Sequence, residues 1–206
     1  MRIRPGGPGD IPAVLALGDE AVTWLNARGN TQQWGTAPWT GNQKREAAIG
    51  DQTRGGGMRI AEDQDGVVLG ALVITEVPAA YVPAAAEREL YINLLLVSRR
   101  HGGQGIGAGL IEHAKQEAAA RGIGLIRVDC WAGQDGSLVR VYEKYGFSRV
   151  QDFTVALPAG EWPGMLLAMR SSPACHSTWR TDNRSCGEII QPGDVGSPSR
   201  PAGLST

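Results

Sequence analysis

Apolar residues follow a helical spacing near the N-terminus and then change to the runs and alternation expected of strands. Between Ile11 and Leu25 they recur every three or four positions, which predicts a helix that ends near Gly29. A second, shorter helix is predicted at residues 43–52. The two β-rich runs that follow, residues 58–62 and 67–75, flank an Asp-Gly pair, which indicates a hairpin.

The middle of the chain alternates strands with helices. Its first strand is nearly all apolar, as expected for a strand that is buried on both faces. The predicted elements in order are a strand at 91–97, a helix at about 105–121, a strand at 125–130, a short helix at 138–145, and strands around 147–155 and 165–169. With a short first strand around Ile3, this order predicts an α/β domain with a mixed sheet.

The last part of the chain differs in composition from the rest. From residue 171 onward Ser, Thr, Pro and Gly dominate, and the apolar periodicity is lost. Such a segment cannot bury enough apolar surface to offset the entropy of ordering it. We therefore expect residues 1–170 to form one domain and residues 171–206 to be a disordered tail.

Charge and cysteine content narrow the class of protein. The formal net charge of −1 provides no general attraction to nucleic acid or to an anionic membrane. The three cysteines are an odd number without zinc-ligand spacing, so we expect neither a disulfide framework nor a metal site. No stretch has the apolar length of a signal peptide or a membrane span. We expect a cytoplasmic protein that binds neither nucleic acid nor membrane.

A glycine-rich loop joins the buried strand to the helix after it. Gly102, Gly103, Gly105 and Gly107 are clustered there. The start of a helix has free N–H groups and the positive end of the helix dipole, and glycine allows an anion to approach the backbone closely. The pattern therefore predicts a phosphate or pyrophosphate site, although the same glycines would also suit a tight turn with close helix packing.

A dinucleotide site is an alternative interpretation of this loop. Gly103, Gly105 and Ala108 satisfy G-x-G-x-x-G/A, and Asp129 lies at about the expected distance for an acid that binds ribose. However, residues 98–102 separate the strand from the first of these glycines. Too little chain follows to complete two mononucleotide-binding halves. A dinucleotide enzyme is therefore the less favoured alternative.

The loop resembles the acetyl-CoA loop, R/Q-x-x-G-x-G/A, of the GNAT superfamily of N-acetyltransferases. Gly105-Ile106-Gly107 matches its G-x-G/A part, whereas Gly102 occupies the position that usually holds Arg or Gln. A second segment, Tyr142-Glu143-Lys144-Tyr145-Gly146-Phe147, resembles the Y-E-x-x-G-F block of the family. The specific part of the resemblance extends from about residue 91 to residue 147.

The resemblance implies both a fold and a reaction. The fold would be α/β (α+β), with a mixed, largely antiparallel twisted sheet of six to seven strands flanked by about four helices. The sheet would splay open between its fourth and fifth strands to admit the cofactor. The reaction would transfer an acetyl group from acetyl-CoA, without a metal, to a small-molecule or peptide amine. A non-catalytic acyl-CoA-binding module and a homodimeric assembly both stay open.

The resemblance also implies which residues bind the cofactor. Main-chain groups of Leu95 and Val97 would contact the pantetheine arm, and an N–H near Val97 would polarise the thioester carbonyl. Loop amides would bind the pyrophosphate, and Arg99 or Arg100 would compensate for the side chain missing at Gly102. The implied cofactor-binding set is Leu95, Val97, Arg99, Arg100, Gly102, Gly103, Gln104, Gly105, Ile106, Gly107, Ala108 and Asp135.

Acid and base catalysis need side chains. Tyr142 is the expected general acid, because a phenol stays protonated at neutral pH; the alternative is a tyrosine that only packs. Strand alternation places Glu89, Tyr91 and Asn93 on one face, so Glu89 is a candidate base acting through a water, or else a solvated carboxylate. Asp129 and Asp135 are alternative bases, and a reaction without a dedicated base stays open as well. The residues expected to border the acceptor are Trp34, Tyr91 and Asn93.

Overall fold

A seven-stranded sheet lies between two pairs of helices in the computed structural model, which describes residues 1–133, 135–157 and 160–171. A turn of 3-10 helix follows the first strand and another follows the fourth. The elements are β1 (Arg2–Pro5), α1 (Ile11–Asn26), α2 (Gln43–Arg54), β2 (Met58–Glu62), β3 (Val68–Thr75), β4 (Glu89–Val97), α3 (Ile106–Ala120), β5 (Leu125–Trp131), α4 (Ser137–Lys144), β6 (Ser148–Leu157) and β7 (Gly160–Arg170).

The strands lie in the order β1-β2-β3-β4-β5-β7-β6. Every neighbouring pair is antiparallel except β4 and β5, which are parallel. This arrangement confirms the expected fold class, with a mixed and largely antiparallel sheet flanked by four α-helices among the described residues.

The sheet opens between β4 and β5. Their pairing runs from Glu89 opposite Leu125 to Ile92 opposite Val128, and it stops there although both strands continue. A bulge marks the same level, because Leu94 pairs with Val73 and Ile92 pairs with Ile74, which leaves Asn93 between them without a partner. Bulges bend a strand and end its regular pairing. Beyond this point β3 is the only described strand that pairs with β4, so the other edge of β4 faces the opening, which is where the splay is expected.

Two hydrophobic layers hold the helices on the sheet. One layer packs α3 and α4 against the sheet and includes the fully buried Leu110 and Ile126, while the other packs α1 and α2 and includes Val14 and Trp39. Replacing a fully buried leucine such as Leu110 by alanine is expected to cost about 2–5 kcal/mol. The α3–α4 layer thus includes residues of both β4 and β5, whereas the α1–α2 layer includes residues of β4 but none of β5.

Predicted and observed elements differ mainly at the ends of strands. β4 begins two residues earlier than predicted, at Glu89, and β7 begins at Gly160 instead of residue 165. The early part of β7 escapes prediction because Pro163 and Gly164 interrupt its apolar pattern. The predicted tail, apart from Ser171, lies outside the described residues, so its disorder stays a prediction.

Candidate active site

The glycine loop ends in a helix start that no side chain of the described residues caps. Gly103 and Gly105 adopt positive φ angles of 80° and 76°, and α3 begins directly afterwards. A Cβ atom at either position would meet nothing within 4 Å. Packing therefore does not require these glycines; the left-handed backbone does, and it leaves the loop open on its outer side.

The main-chain N–H groups of this loop are free. The amides from Gly103 to Ala108 donate to no acceptor within the described ranges, and the first loop-to-helix bond runs from the Gly109 amide to the Gly105 carbonyl at 2.9 Å. Free amides at the positive end of a 15-residue helix form an anion-binding surface. Gly107 lies on the inner side of this surface, where an added Cβ atom would come to 2.7 Å from the Tyr145 hydroxyl.

Arg99 and Arg100 face α1 in the structure. The Arg99 guanidinium lies 4.4 Å from the ring centre of Trp24, and Nε of Arg100 lies 3.2 Å from a carboxylate oxygen of Glu20. Glu20 also accepts hydrogen bonds from the Ser98 hydroxyl and the Arg99 amide, both at 3.0 Å. These contacts direct both arginines towards α1, and their expected compensation for the side chain missing at Gly102 stays a prediction.

Gly102 does not need to be glycine for structural reasons. Its φ of −57° and ψ of 142° are open to any residue, and an added Cβ would come no closer than 3.6 Å to the Arg99 carbonyl oxygen. The loop could therefore hold the arginine or glutamine that the family pattern has here.

Tyr142 lies on α4 against the α3–α4 face of β5. Its side chain is 6% exposed and belongs to the same core layer as Cys130 and Phe147. The Phe147 ring meets it edge-on, with centroids 5.7 Å apart. Its hydroxyl forms no hydrogen bond with any residue that the structure describes. Burial, with Cys130 and Asp129 nearby, raises the pKa of this phenol, so it keeps its proton throughout the neutral range.

Asp135 lies at the start of α4. Its carboxylate accepts a hydrogen bond from the Ser137 amide at 3.0 Å, and this bond lowers the pKa of the exposed carboxyl group. The contact satisfies one of the free amides at the helix start and thereby fixes the beginning of the helix that carries Tyr142. Within the described residues, Asp135 thus has a capping contact, and its cofactor contact stays a prediction.

Glu89 is bound in a buried ion pair. Arg127 Nη2 donates to one oxygen of Glu89 at 2.6 Å, and Arg127 Nε donates to the other. The two side chains are 4% and 8% exposed, and Arg127 also donates to the Pro83 carbonyl at 2.9 Å. Since the carboxylate is buried and both of its oxygens are bound by a guanidinium, this placement favours a structural role for Glu89, and its expected role as a base acting through a water stays a prediction.

Tyr91 and Asn93 lie at the level where the sheet opens. The fully buried Tyr91 donates its hydroxyl hydrogen to Asp129, the first residue of β5 beyond the last β4–β5 pair. Asn93, at the bulge, donates from Nδ2 to the Thr75 hydroxyl at 2.7 Å. The structure therefore brings Tyr91 into a side-chain cluster with Asp129, whereas Asn93 turns towards β3.

Trp34 packs on Trp39 in the loop between α1 and α2, with ring centroids 5.2 Å apart. Trp39 is 3% exposed and belongs to the layer beneath α1. One residue before Trp34, the carbonyl of Gln33 accepts a hydrogen bond from Trp162 Nε1 at 3.0 Å. This bond joins the tryptophan loop to β7.

Sequence reasoning missed an aromatic wall on the α1–α2 face of the sheet. The ring centroids of Tyr81 and Phe153 are 5.8 Å apart, those of Phe153 and Trp162 are 6.2 Å apart, and those of Trp162 and Trp131 are 5.7 Å apart. Only the period-two spacing of Trp162, Gly164 and Leu166 could have indicated that this face continues into β7.

Neither a membrane span nor a metal-ligand group is found in the described part of the chain. None of its helices has the length and apolar character needed to cross a bilayer. No three of its His, Cys, Asp and Glu side chains come together as ligands for a metal ion.

Solved structures of known proteins share the fold of this chain. No curated protein matches the chain. Among solved structures, a GNAT-family acetyltransferase from Listeria monocytogenes superposes with a TM-score of 0.62 at 21% identity, covering 82% of this chain and 94% of that chain. The ribosomal-protein-alanine N-acetyltransferase from Brucella melitensis gives 0.60 at 20% identity, covering 82% and 99%. The yncA protein from Salmonella typhimurium, solved with its cofactor acetyl-CoA, gives 0.58 at 17% identity, covering 90% and 98%.

The family model of the acetyltransferase (GNAT) family matches residues 21–147, which is more than half of the chain. The matched segment includes the open strands β4 and β5, the glycine loop and the helix that carries Tyr142. The chain therefore belongs to the acetyltransferase (GNAT) family and is an acetyl-CoA-dependent acyltransferase.

Proposed function

We propose that this protein transfers the acetyl group of acetyl-CoA to the nitrogen of an amine, with Tyr142 as the general acid. The observation that carries the proposal is the position of Tyr142. Its phenol has no hydrogen-bond partner among the described residues, and it lies beside the strand at which the sheet opens. Among the described residues its hydroxyl oxygen is not one of the fully buried atoms that lack a partner, so it is accessible and is suited to donate to a bound substrate.

Two main-chain features suit the binding of acetyl-CoA. The free amides from Gly103 to Ala108 suit the pyrophosphate, and the edge of β4 beyond the bulge suits the pantetheine arm. Neither feature depends on side-chain identity, which explains why Leu95 and Val97 can serve through their main chain while their side chains pack against the core. An N–H group of this edge near Val97 would stabilise the oxyanion that forms at the thioester carbonyl.

The proposed reaction is a direct transfer in which Tyr142 donates a proton. The neutral amine attacks the thioester carbonyl carbon, a C–N bond forms, and the C–S bond breaks. The departing sulfur takes a proton from the Tyr142 hydroxyl, and the proton that the nitrogen loses restores the phenol. The raised pKa of Tyr142 keeps the donor protonated until charge builds on sulfur.

The proposal is tested by measuring thiol release from acetyl-CoA across a panel of amines, with the dissociation constant of CoA measured separately by calorimetry. Acceptor-dependent thiol release is expected. Tight binding without turnover on any amine would instead favour a non-catalytic acyl-CoA-binding module, for which the absence of the usual Arg or Gln at Gly102 is the supporting observation. Stabilisation of the protein by NAD(P) and not by CoA would point to the dinucleotide-binding alternative.

A further inference from the structure

Asp129 is the first residue of β5 beyond its last pairing with β4. Tyr81 Oη donates to one of its carboxylate oxygens at 3.1 Å, and Tyr91 Oη donates to the other. The next residue, Cys130, faces the opposite side of the strand, in the layer that contains Tyr142. Asp129 and Tyr142 therefore lie on opposite faces of the sheet at the level where it opens.

This carboxylate lacks a cationic partner in the part of the chain that the structure describes. The nearest guanidinium along β5, that of Arg127, is bound to Glu89. Two neutral hydroxyls hold Asp129, and each uses only part of the acceptor capacity of one oxygen. A half-buried carboxylate without a counter-charge is unfavourable. A cation that binds here would supply the missing charge.

Aromatic rings surround the same face. Tyr81, 52% exposed, extends over it, and its ring is the first in the series that continues through Phe153 to Trp162. Gly164 makes room for this wall, because an added Cβ would lie 2.5 Å from the Phe153 ring and 2.7 Å from the Trp162 ring. A carboxylate beside an aromatic wall suits an ammonium group attached to an apolar or aromatic body.

We propose that the acceptor binds at Asp129. The Asp129 carboxylate binds the ammonium group of a primary amine that has an adjacent apolar or aromatic body, and it accepts a proton from that ammonium group. The inference rests on the proposed acetyl transfer and deepens it by naming the acceptor class and the base. It also replaces Glu89, whose oxygens are bound by Arg127, as the base.

The proton balance is complete with the groups present. The Asp129 carboxylate takes one proton from the ammonium, which frees the lone pair of the nitrogen for attack. After attack the nitrogen loses a second proton, and this one replaces the proton that Tyr142 gives to the thiolate. Asp129 releases its proton to solvent before the next turnover. The overall reaction converts an ammonium and a thioester into an amide, a thiol and one proton.

The pH dependence follows from the surroundings of Asp129. Burial raises the pKa of its carboxyl group, although the hydrogen bonds from Tyr91 and Tyr81 oppose this rise. Below that raised pKa the group is neutral and neither attracts an ammonium nor accepts its proton, so kcat/KM should fall as the pH falls through it. The titratable or charged groups that face or flank it are Tyr81 before β4, Glu89 and Tyr91 on β4, and Arg127 on β5. Cys130 on β5 and Tyr142 on α4 lie behind it, on the opposite face of the sheet.

A binding experiment tests the site without turnover. In the presence of CoA, the dissociation constants of 2-phenylethylamine and of the uncharged 2-phenylethanol are measured for the unaltered protein and for Asp129→Asn. We expect the unaltered protein to bind the amine at least about tenfold more tightly than the alcohol, and Asp129→Asn to lose this preference. Equal binding of the two compounds by the unaltered protein would overturn the proposal.

Kinetics test the proton transfer. Asp129→Asn should lower kcat/KM for 2-phenylethylamine by about 100-fold and remove the acidic limb of its pH profile. The loss should be less than about threefold with aniline, an amine that is already neutral at pH 7. The exposed Asp152→Asn serves as the matched control. Equal losses with both amines, or an unchanged acidic limb, would overturn the role of Asp129 as a base. No turnover by the unaltered protein on any amine would instead contradict the proposed function, and the binding experiment would still decide the site.

Discussion

The glycine loop and the face around Asp129 are both candidate binding regions, but they are built from different groups. The loop offers main-chain amides at the start of α3 and contributes almost no side chain. The Asp129 face offers a carboxylate, hydroxyls and aromatic rings from several strands. A region built from main chain can bind the same cofactor in many relatives, whereas one built from side chains can differ from one acceptor to another.

The two regions also respond differently to substitution. In the loop, only a side chain that fills the anion site or adds charge to it should change binding. On the Asp129 face, each side chain has a separate role, as the contrast between Glu89 and Asp129 shows. Glu89 has its guanidinium partner, whereas Asp129 has none within the described residues. We therefore expect Glu89 to support the fold and Asp129 to support the reaction.

The largest expected effect is on stability, in Glu89→Gln. The change leaves the guanidinium of Arg127 buried without its counter-charge, and breaking a buried ion pair costs about 3–5 kcal/mol. We expect about 3 kcal/mol, because the amide oxygen still accepts one hydrogen bond. Urea denaturation measures the loss. The exposed pair of Glu87 and Arg170 provides the control, since Glu87→Gln should cost less than about 1 kcal/mol.

The same Glu89→Gln protein separates fold from catalysis. Its kcat, measured on the folded fraction, should stay within a few-fold of the unaltered value. A fall in kcat of about 100-fold or more, with the free energy of unfolding nearly unchanged, would show that Glu89 is the base.

Tyr142→Phe should have the next largest effect. The ring still packs against Phe147, so the melting temperature and the affinity for CoA should hardly change. The lost hydroxyl acts as charge builds on sulfur, so kcat and kcat/KM should fall together by about 100-fold, the low end for a positioned acid. Tyr145→Phe, directly after the same helix, is the matched control. A well-folded Tyr142→Phe with near-normal kcat would show that the tyrosine only packs.

A smaller effect is expected from charge in the glycine loop. Asn and Asp both tolerate the left-handed backbone of Gly105 and have the same shape, so Gly105→Asn and Gly105→Asp differ in charge alone. The aspartate variant should bind CoA at least about tenfold more weakly than the asparagine variant, a difference of about 1.4 kcal/mol. Calorimetry on both proteins measures it. Identical dissociation constants for the two variants would show that the pyrophosphate does not bind at this loop.

The smallest effect is a gain. The backbone at Gly102 accepts any residue, so Gly102→Arg can restore the side chain that the family pattern usually has. An exposed ion pair with the cofactor phosphates should tighten CoA binding by about fivefold, or about 1 kcal/mol. Gly102→Glu should weaken it. If both variants bind CoA like the unaltered protein, this position does not face the cofactor.

The difference between local motifs and contacts that are distant along the chain determines how much could be predicted from the sequence. The glycine loop and the Tyr142 block are local patterns, each contained in a few consecutive residues, so both could be found in the sequence, the first as an anion-binding pattern and the second through its resemblance to the family. The register of β4 with β5, which sets the opening, follows from pairing between strands that are far apart in the chain. The fold class was nevertheless predictable, because the order of strands and helices appears in the apolar pattern.

The grouping of residues on the Asp129 face was not predictable for a physical reason. Tyr81 precedes β4, Asp129 lies on β5, Phe153 on β6 and Trp162 on β7, and only the strand order brings them together. The ion pair between Glu89 and Arg127 is equally invisible in the sequence, since 38 residues separate its members. Likewise, nothing in the run Arg99-Arg100 shows that both side chains turn towards α1.

The most direct test of the account is to follow the acetyl group itself. The protein is incubated with acetyl-CoA and 2-phenylethylamine, and mass spectrometry counts the N-acetylated amine while a thiol reagent counts the free CoA. We predict one acetylated amine for each CoA released, at a rate that falls by about 100-fold in Tyr142→Phe. Tight binding of acetyl-CoA with neither product formed from this amine or from any member of a broad amine panel would contradict it.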